Sequence, residues 1–213
     1  MPTTSLMVLE SSWSDEITTP HSTVKPFFDG FGATLQRQIA YQNFHDERSL
    51  RYWLRQFFTS NIPILYIAGH GRDGYLRPLG ETKVDFGRLV PRCLPNKKVS
   101  EPLKPKGIML GACSIGGTEY REDILQRTRH PLTWLATYDR TVPWIETTLF
   151  DLLFLSYLLE GRCVQKNGEF LLTKTNIMRT NKAKHAEHAY DWLVKDCALA
   201  AETGFGVSDR RAL

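Results

Sequence analysis

Ile62-Pro63-Ile64-Leu65-Tyr66-Ile67-Ala68-Gly69-His70-Gly71 and Gly107-Ile108-Met109-Leu110-Gly111-Ala112-Cys113-Ser114-Ile115-Gly116-Gly117 decide how this chain folds. Each is an apolar run of strand length, bounded closely by glycine, that delivers one reactive side chain: a His in the first, a Cys in the second. Short continuous apolar runs fit strands buried on both faces of a parallel sheet. In open α/β sheets ligands gather outside the carboxyl ends of such strands. If the two strands are neighbours, His70 and Cys113 meet at that edge.

Outward from these two runs, strand and helix patterns alternate, the mark of a doubly wound sheet with helices on both faces. Leu6 to Leu9 reads as a central strand, Gln38 to Phe44 as a second, and Leu132 to Tyr138 as a fifth. Asp46 to Phe58 places Leu50, Trp53, Leu54 and Phe57 on one helical face with Asp46 as its cap. Pro26, Gly30 and Gly32 weaken the helical pattern of Val24 to Leu35. After His70 a small hairpin is expected, with Tyr75 to Pro78 and Thr82 to Phe86 joined at Leu79-Gly80-Glu81, followed by a short helix to Leu94. The Pro- and Lys-rich stretch Pro95 to Lys106 reads as a surface connector whose four lysines are solvated.

Beyond the Cys strand, Thr118 is expected to cap a helix over Glu119 to Arg127. A buried helix follows from about Glu146 to Glu160, its apolar run interrupted by Asp151 and Ser156. Asn167-Gly168 is a hairpin turn signal, and Ala186 to Ala201 an amphipathic helix. No internal repeat is present. The reading is one domain over residues 1–213, with a core of about 5–160 and a C-terminal hairpin and long helix over 161–205.

Of the 213 residues 42% are hydrophobic and 23% charged, which fits a globular chain rather than a disordered one. A net charge of +4 is too mild to indicate a nucleic-acid partner. No run reaches the roughly 18 apolar residues of a membrane span and no signal peptide is recognisable, so no membrane partner and a cytoplasmic location are expected. Cys93, Cys113, Cys163 and Cys197 lack CxxC spacing, which points to reduced thiols and no zinc site. His185 and His188 stand in the order His-Ala-Glu-His, not His-Glu-x-x-His, and read as solvated. His21, His45 and His130 are assigned no role, and no metal or cofactor is expected.

A thiol is a strong nucleophile as its thiolate, a form that an adjacent imidazole or helix N-terminus favours. Cys113 leaves its strand just before Gly116-Gly117, whose amides are expected to point inward ahead of the next helix. Gly71 offers a further amide to the oxyanion that develops in acyl transfer.

These two motifs resemble the caspase-like cysteine peptidases of clan CD, the group that includes metacaspases, legumain, clostripain, separase and CHAT domains. The shared pattern is an apolar strand ending in His-Gly and a second ending in Ala-Cys, then glycine. The 43-residue separation of His70 and Cys113 is close to the roughly 50 given for caspases. Gly116 at the third position after the Cys follows the CHAT, legumain and metacaspase spacing, while Ile115 and the lack of Gln-Ala-Cys depart from caspases proper. The resemblance spans Leu6 to about Leu159, its specific part being the two motifs.

The resemblance implies a caspase-like, three-layer, mainly parallel α/β fold. It also implies a cysteine endopeptidase in which Cys113 forms a thioester acyl-enzyme, His70 protonates the leaving amine, and the amides of Gly71 and Cys113 hold the oxyanion. A protein or peptide substrate, a separate sensor or activator protein, and a part in defence or cell death follow by analogy. Asp139, Asp73 and Glu119 are candidate acids for a basic substrate residue, and Arg72, Arg77 and Arg140 candidate bases for an acidic one. Two rivals remain: a catalytically silent interaction module using the strand ends or the lysine loop, and a thiol esterase or amidase.

Overall fold

The computed structural model describes residues 4–13, 23–78, 83–95, 104–128, 131–160, 162–166, 169–173, 183–197 and 202–209. The apolar runs become β1 (Leu6–Ser11), β3 (Ile64–Ala68), β6 (Lys106–Gly111) and β7 (Leu132–Tyr138), and β2 (Ile39–Phe44) flanks β1. With β10 (Phe205–Asp209) they form one six-stranded sheet in the order β10-β7-β6-β3-β1-β2. Only β10 runs antiparallel, against β7. Strand order reverses between β1 and β3, the topological switch point where such sheets bind ligands.

Side chains alternate across the strands and build two cores. Leu6, Val8, Ile64, Tyr66, Met109 and Trp134 face α1 (Lys25–Leu35), α5 (Trp144–Leu159) and α6 (Ala183–Asp196). Met7, Leu9, Leu65, Ile67, Ile108 and Leu135 face α2 (Glu47–Thr59), α3 (Phe86–Cys93) and α4 (Thr118–Thr128). The result is a three-layer, doubly wound, mainly parallel α/β fold with helices on both faces. Each fully buried Leu, Ile or Phe contributes about 1.5–3 kcal/mol, so the paired cores dominate its stability.

Local chemistry explains individual helices. Asp46 caps α2 by accepting from the Ser49 amide at 2.7 Å, while the Ser49 hydroxyl accepts from the Asp46 amide at 3.1 Å, a reciprocal cap that satisfies two amides at the helix start. α1 forms despite two glycines because Pro26 sits in its first turn, where no amide is needed, and Phe28 packs on Tyr66 with ring centroids 4.7 Å apart. The first backbone bond of α4 reaches the Gly117 carbonyl, so Thr118 lies inside the helix rather than capping it.

The expected pairing of Tyr75 to Pro78 with Thr82 to Phe86 is present as an antiparallel bridge between Leu76 and Val84, which exchange backbone bonds at 3.0 and 2.9 Å. An unexpected hairpin precedes it: β4 (His70–Arg72) and β5 (Tyr75–Arg77) turn at Asp73-Gly74 with φ of 54° and 82°, the left-handed pair a two-residue turn requires. Two expectations need correction. Lys106 is fully buried, not solvated. Its Nζ donates to the carbonyls of Ser60 and Ile62 at 2.7 and 2.6 Å, satisfying the end of α2, and burial pulls its pKa down to about 8. The sheet also gains β10, from a segment not read as a strand. β8 (Arg162–Lys166) and β9 (Glu169–Thr173) pair as the expected hairpin. Leu79-Gly80-Glu81, most of the lysine-rich loop, Asn167-Gly168, His21 and His130 lie outside the described residues, as does the end of the last helix.

Candidate active site

β3 and β6 are adjacent and parallel, with Ala68 opposite Gly111. His70 and Cys113 each lie two residues beyond that pair, so one register step carries both to the same carboxyl edge. Both line a single cleft of about 440 Å³. Its remaining walls come from Trp13 after β1, from Tyr138 at the end of β7, and from Trp144, Thr147 and Thr148 at the start of α5.

Close packing fixes the loops that carry the pair. A Cβ on Gly71 would lie 2.2 Å from the Cys113 carbonyl oxygen, so only glycine lets the two loops touch. The Gly74 amide donates to the Ser114 carbonyl at 3.0 Å, and the Ser114 amide donates to Arg140 at 3.1 Å. Ser114 itself is held at φ 49°, a strained conformation of the kind found at functional turns. The amides of Ile115 and Gly116 both donate to the Tyr138 carbonyl. They anchor this loop to β7, so the expected inward-pointing amide at Gly116 is engaged elsewhere.

The amides of Gly71 and Cys113 are not engaged in this way. Leu76 exchanges both of its backbone bonds with Val84, so its pairing with Gly71 is the non-hydrogen-bonded kind and the Gly71 amide points away from β5. The Cys113 amide has no acceptor among the described residues.

His70 Nε2 lies 3.0 Å from the Trp13 carbonyl, and its ring meets the Trp13 ring edge-on with centroids 5.1 Å apart. A carbonyl only accepts, so in the neutral ring Nε2 carries the proton and Nδ1 is the basic nitrogen. Trp13 is in turn held by Glu10, which accepts from its indole Nε1 at 2.6 Å, from the Val24 amide at 2.8 Å and from Thr23 Oγ1 at 2.7 Å. The Cys113 thiol donates to the Val142 carbonyl at 3.4 Å and not to His70.

Beneath the pair lies a group that sequence reasoning missed. Asp151, buried on α5, accepts from Tyr66 at 2.7 Å and from Tyr138 at 2.5 Å. Burial pushes its carboxyl up to about 7 against the opposing pull of the two hydroxyl bonds. Burial, reinforced by the Asp151 charge, likewise raises both tyrosines well above the usual range. The signal in the sequence was Asp151 as the one carboxylate inside the apolar run Leu149 to Leu159, with a tyrosine on each of two apolar strands.

The candidate specificity residues fall outside the cleft. Asp73 is exposed in the β4–β5 turn beside Arg72, and Glu119 is exposed in the first turn of α4. Asp139 pairs with Arg140 at 3.0 Å, and neither lines the cleft, nor does Arg77. Cys93 is buried, and burial raises its thiol to about 11. Among the described residues no cluster of His, Cys, Asp and Glu could hold a metal ion, and no helix is long and apolar enough to cross a membrane. Neither a protein-family model nor a curated protein sequence matches the chain.

Proposed function

We propose that this protein is a caspase-like cysteine endopeptidase that works through a His70–Cys113 dyad. The observation that carries the reading is the common register: an imidazole and a thiol leave adjacent parallel strands two residues past a paired position, into one cleft. The fold and the two motifs agree with it.

In this reading the Cys113 sulfur attacks the scissile carbonyl and its proton passes to His70, whose Nδ1 is the free basic nitrogen while the Trp13 carbonyl holds Nε2. The amides of Gly71 and Cys113 stabilise the tetrahedral oxyanion. His70 then protonates the departing amine, leaving a thioester on Cys113, and water attacks the thioester with His70 as base. The thiol bonds the Val142 carbonyl and the imidazole the Trp13 carbonyl, so this mechanism requires the Cys113 side chain to turn towards Nδ1 as substrate enters.

The test is digestion of a diverse peptide library by the wild type, Cys113→Ala and His70→Ala. New peptide termini that vanish in both variants support a peptidase. Turnover of thioesters or simple esters without any peptide cleavage supports the esterase reading, and no turnover of either supports a silent interaction module. The location in the cytoplasm and the need for a separate activator belong to the same proposal.

A further inference from the structure

The cleft beside Cys113 has an unusual hydrogen-bonding character. Tyr66 and Tyr138 point their hydroxyl protons at the Asp151 carboxylate, which can only accept when ionised. Thr147 donates its hydroxyl to the Pro143 carbonyl at 2.9 Å, and Thr148 donates to the Trp144 carbonyl at 2.7 Å. The Trp13 indole donates to Glu10. Four hydroxyls bordering the cleft therefore keep only lone pairs to offer. The lining holds no Lys or Arg, and no Lys or Arg of the described residues forms an ion pair with Asp151.

A buried carboxylate without a counter-cation is costly unless a partner arrives. Asp151 does not line the cleft itself, but the two tyrosines that donate to it do. A Cβ on Gly111 would lie 2.1 Å from the Tyr66 hydroxyl, so the glycine two residues before the nucleophile is what lets that hydroxyl reach the floor. Trp13 and Trp144, with ring centroids 6.1 Å apart, form one continuous aromatic wall on which an aliphatic stem can lie and towards which a cation is attracted. An acidic side chain would find no Lys or Arg in this lining and would face the two tyrosines that carry the Asp151 charge behind them.

We propose that this cleft is the specificity pocket for a cationic side chain, a lysine or arginine immediately before the scissile bond. In it, Asp151 is the buried countercharge and the Tyr66 and Tyr138 oxygens are the atoms that receive the donated protons. The inference rests on the peptidase reading of the same site, and it settles the sign of the pocket that the sequence left open between acid and base.

Two arms test it. In the first, fluorogenic peptides differing only in the residue before the bond (Lys, Arg, norleucine, Gln, Asp) are compared by kcat/KM. Lys or Arg should exceed norleucine by about 100-fold or more, and Asp151→Asn or Tyr138→Phe should collapse that preference. Cys113-dependent cleavage that is as fast after norleucine, Gln or Asp overturns the inference and leaves the peptidase standing.

In the second, Cys113→Ala protein is titrated with fluorescent p-aminobenzamidine and with neutral p-aminobenzamide. The amidine should bind at least tenfold more tightly than the amide, and Asp151→Asn in that background should remove the difference, with a thermal melt reporting that each variant is folded. If no peptide is cleaved, the peptidase reading fails and this arm alone decides. A selective, Asp151-dependent amidine site supports the pocket, and equal binding of the two probes or none of either overturns it.

Discussion

Replacing Asp151 by Asn should stabilise the protein more at pH 8 than at pH 5. Its carboxyl ordinarily titrates near 3.8 and is pushed up to about 7 by burial, so the folded state holds a proton that the unfolded chain has released between those values. For an acid raised in this way the contribution to stability is fully present below the lower value and is lost as the pH climbs through the higher one. At about 1.4 kcal/mol per pH unit the whole window is worth about 4 kcal/mol, of which about 2–3 kcal/mol falls between pH 5 and pH 8. Asn keeps the shape and does not titrate. Urea denaturation of the wild type and Asp151→Asn at both pH values gives the stability difference at each, and every other titrating group cancels in the comparison. The difference should shift in favour of the variant by about 2–3 kcal/mol on going to pH 8. An unchanged difference would refute the claim that this carboxylate is buried without a cation.

Gly71→Ala places a Cβ against the Cys113 carbonyl, and the displacement of either loop should lower kcat/KM by about 100-fold while a thermal melt still reports a folded domain. Iodoacetamide at pH 7 should modify Cys113 well before Cys93, read by peptide mass, since Cys93 is buried with its thiol raised to about 11; faster labelling of Cys93 would contradict this. Lys106→Ala should cost about 2–4 kcal/mol in chemical denaturation, because it opens space in the core and leaves the Ser60 and Ile62 carbonyls without their donor. Glu10→Gln should loosen the Trp13 segment and lower kcat more than it raises KM, since its effect reaches the chemistry through the orientation of His70.

The sheet was legible where strands are buried on both faces. β3 and β6 are uninterrupted apolar runs closed by glycine, and that pattern carries its own boundary. β10 was not, because an antiparallel edge strand reading Phe-Gly-Val-Ser-Asp buries its polar members through partners elsewhere: Ser208, for example, receives the Arg121 guanidinium. The β4–β5 turn had a local signal in Asp73-Gly74 that went unread beside Leu79-Gly80, across which Leu76 and Val84 also pair. Lys106 shows the limit of composition: a lysine beside prolines and other lysines looks solvated until the end of α2 is placed against it. His70 and Cys113 were readable because strand ends converge in this topology. Trp13, Tyr66, Tyr138 and Asp151 were not, because their meeting depends on which face of each element turns inward, a property of packing rather than of any one stretch of sequence.

The most direct measurement is intact-mass analysis after brief exposure to a peptidyl acyloxymethyl ketone, a reagent that alkylates a thiol only when an enzyme activates it. The account predicts a single adduct mapping to Cys113 in the wild type and its loss in His70→Ala. Adduct formation indifferent to His70, or spread over Cys93 and Cys113 alike, would contradict a thiol and an imidazole working together at one edge of the sheet.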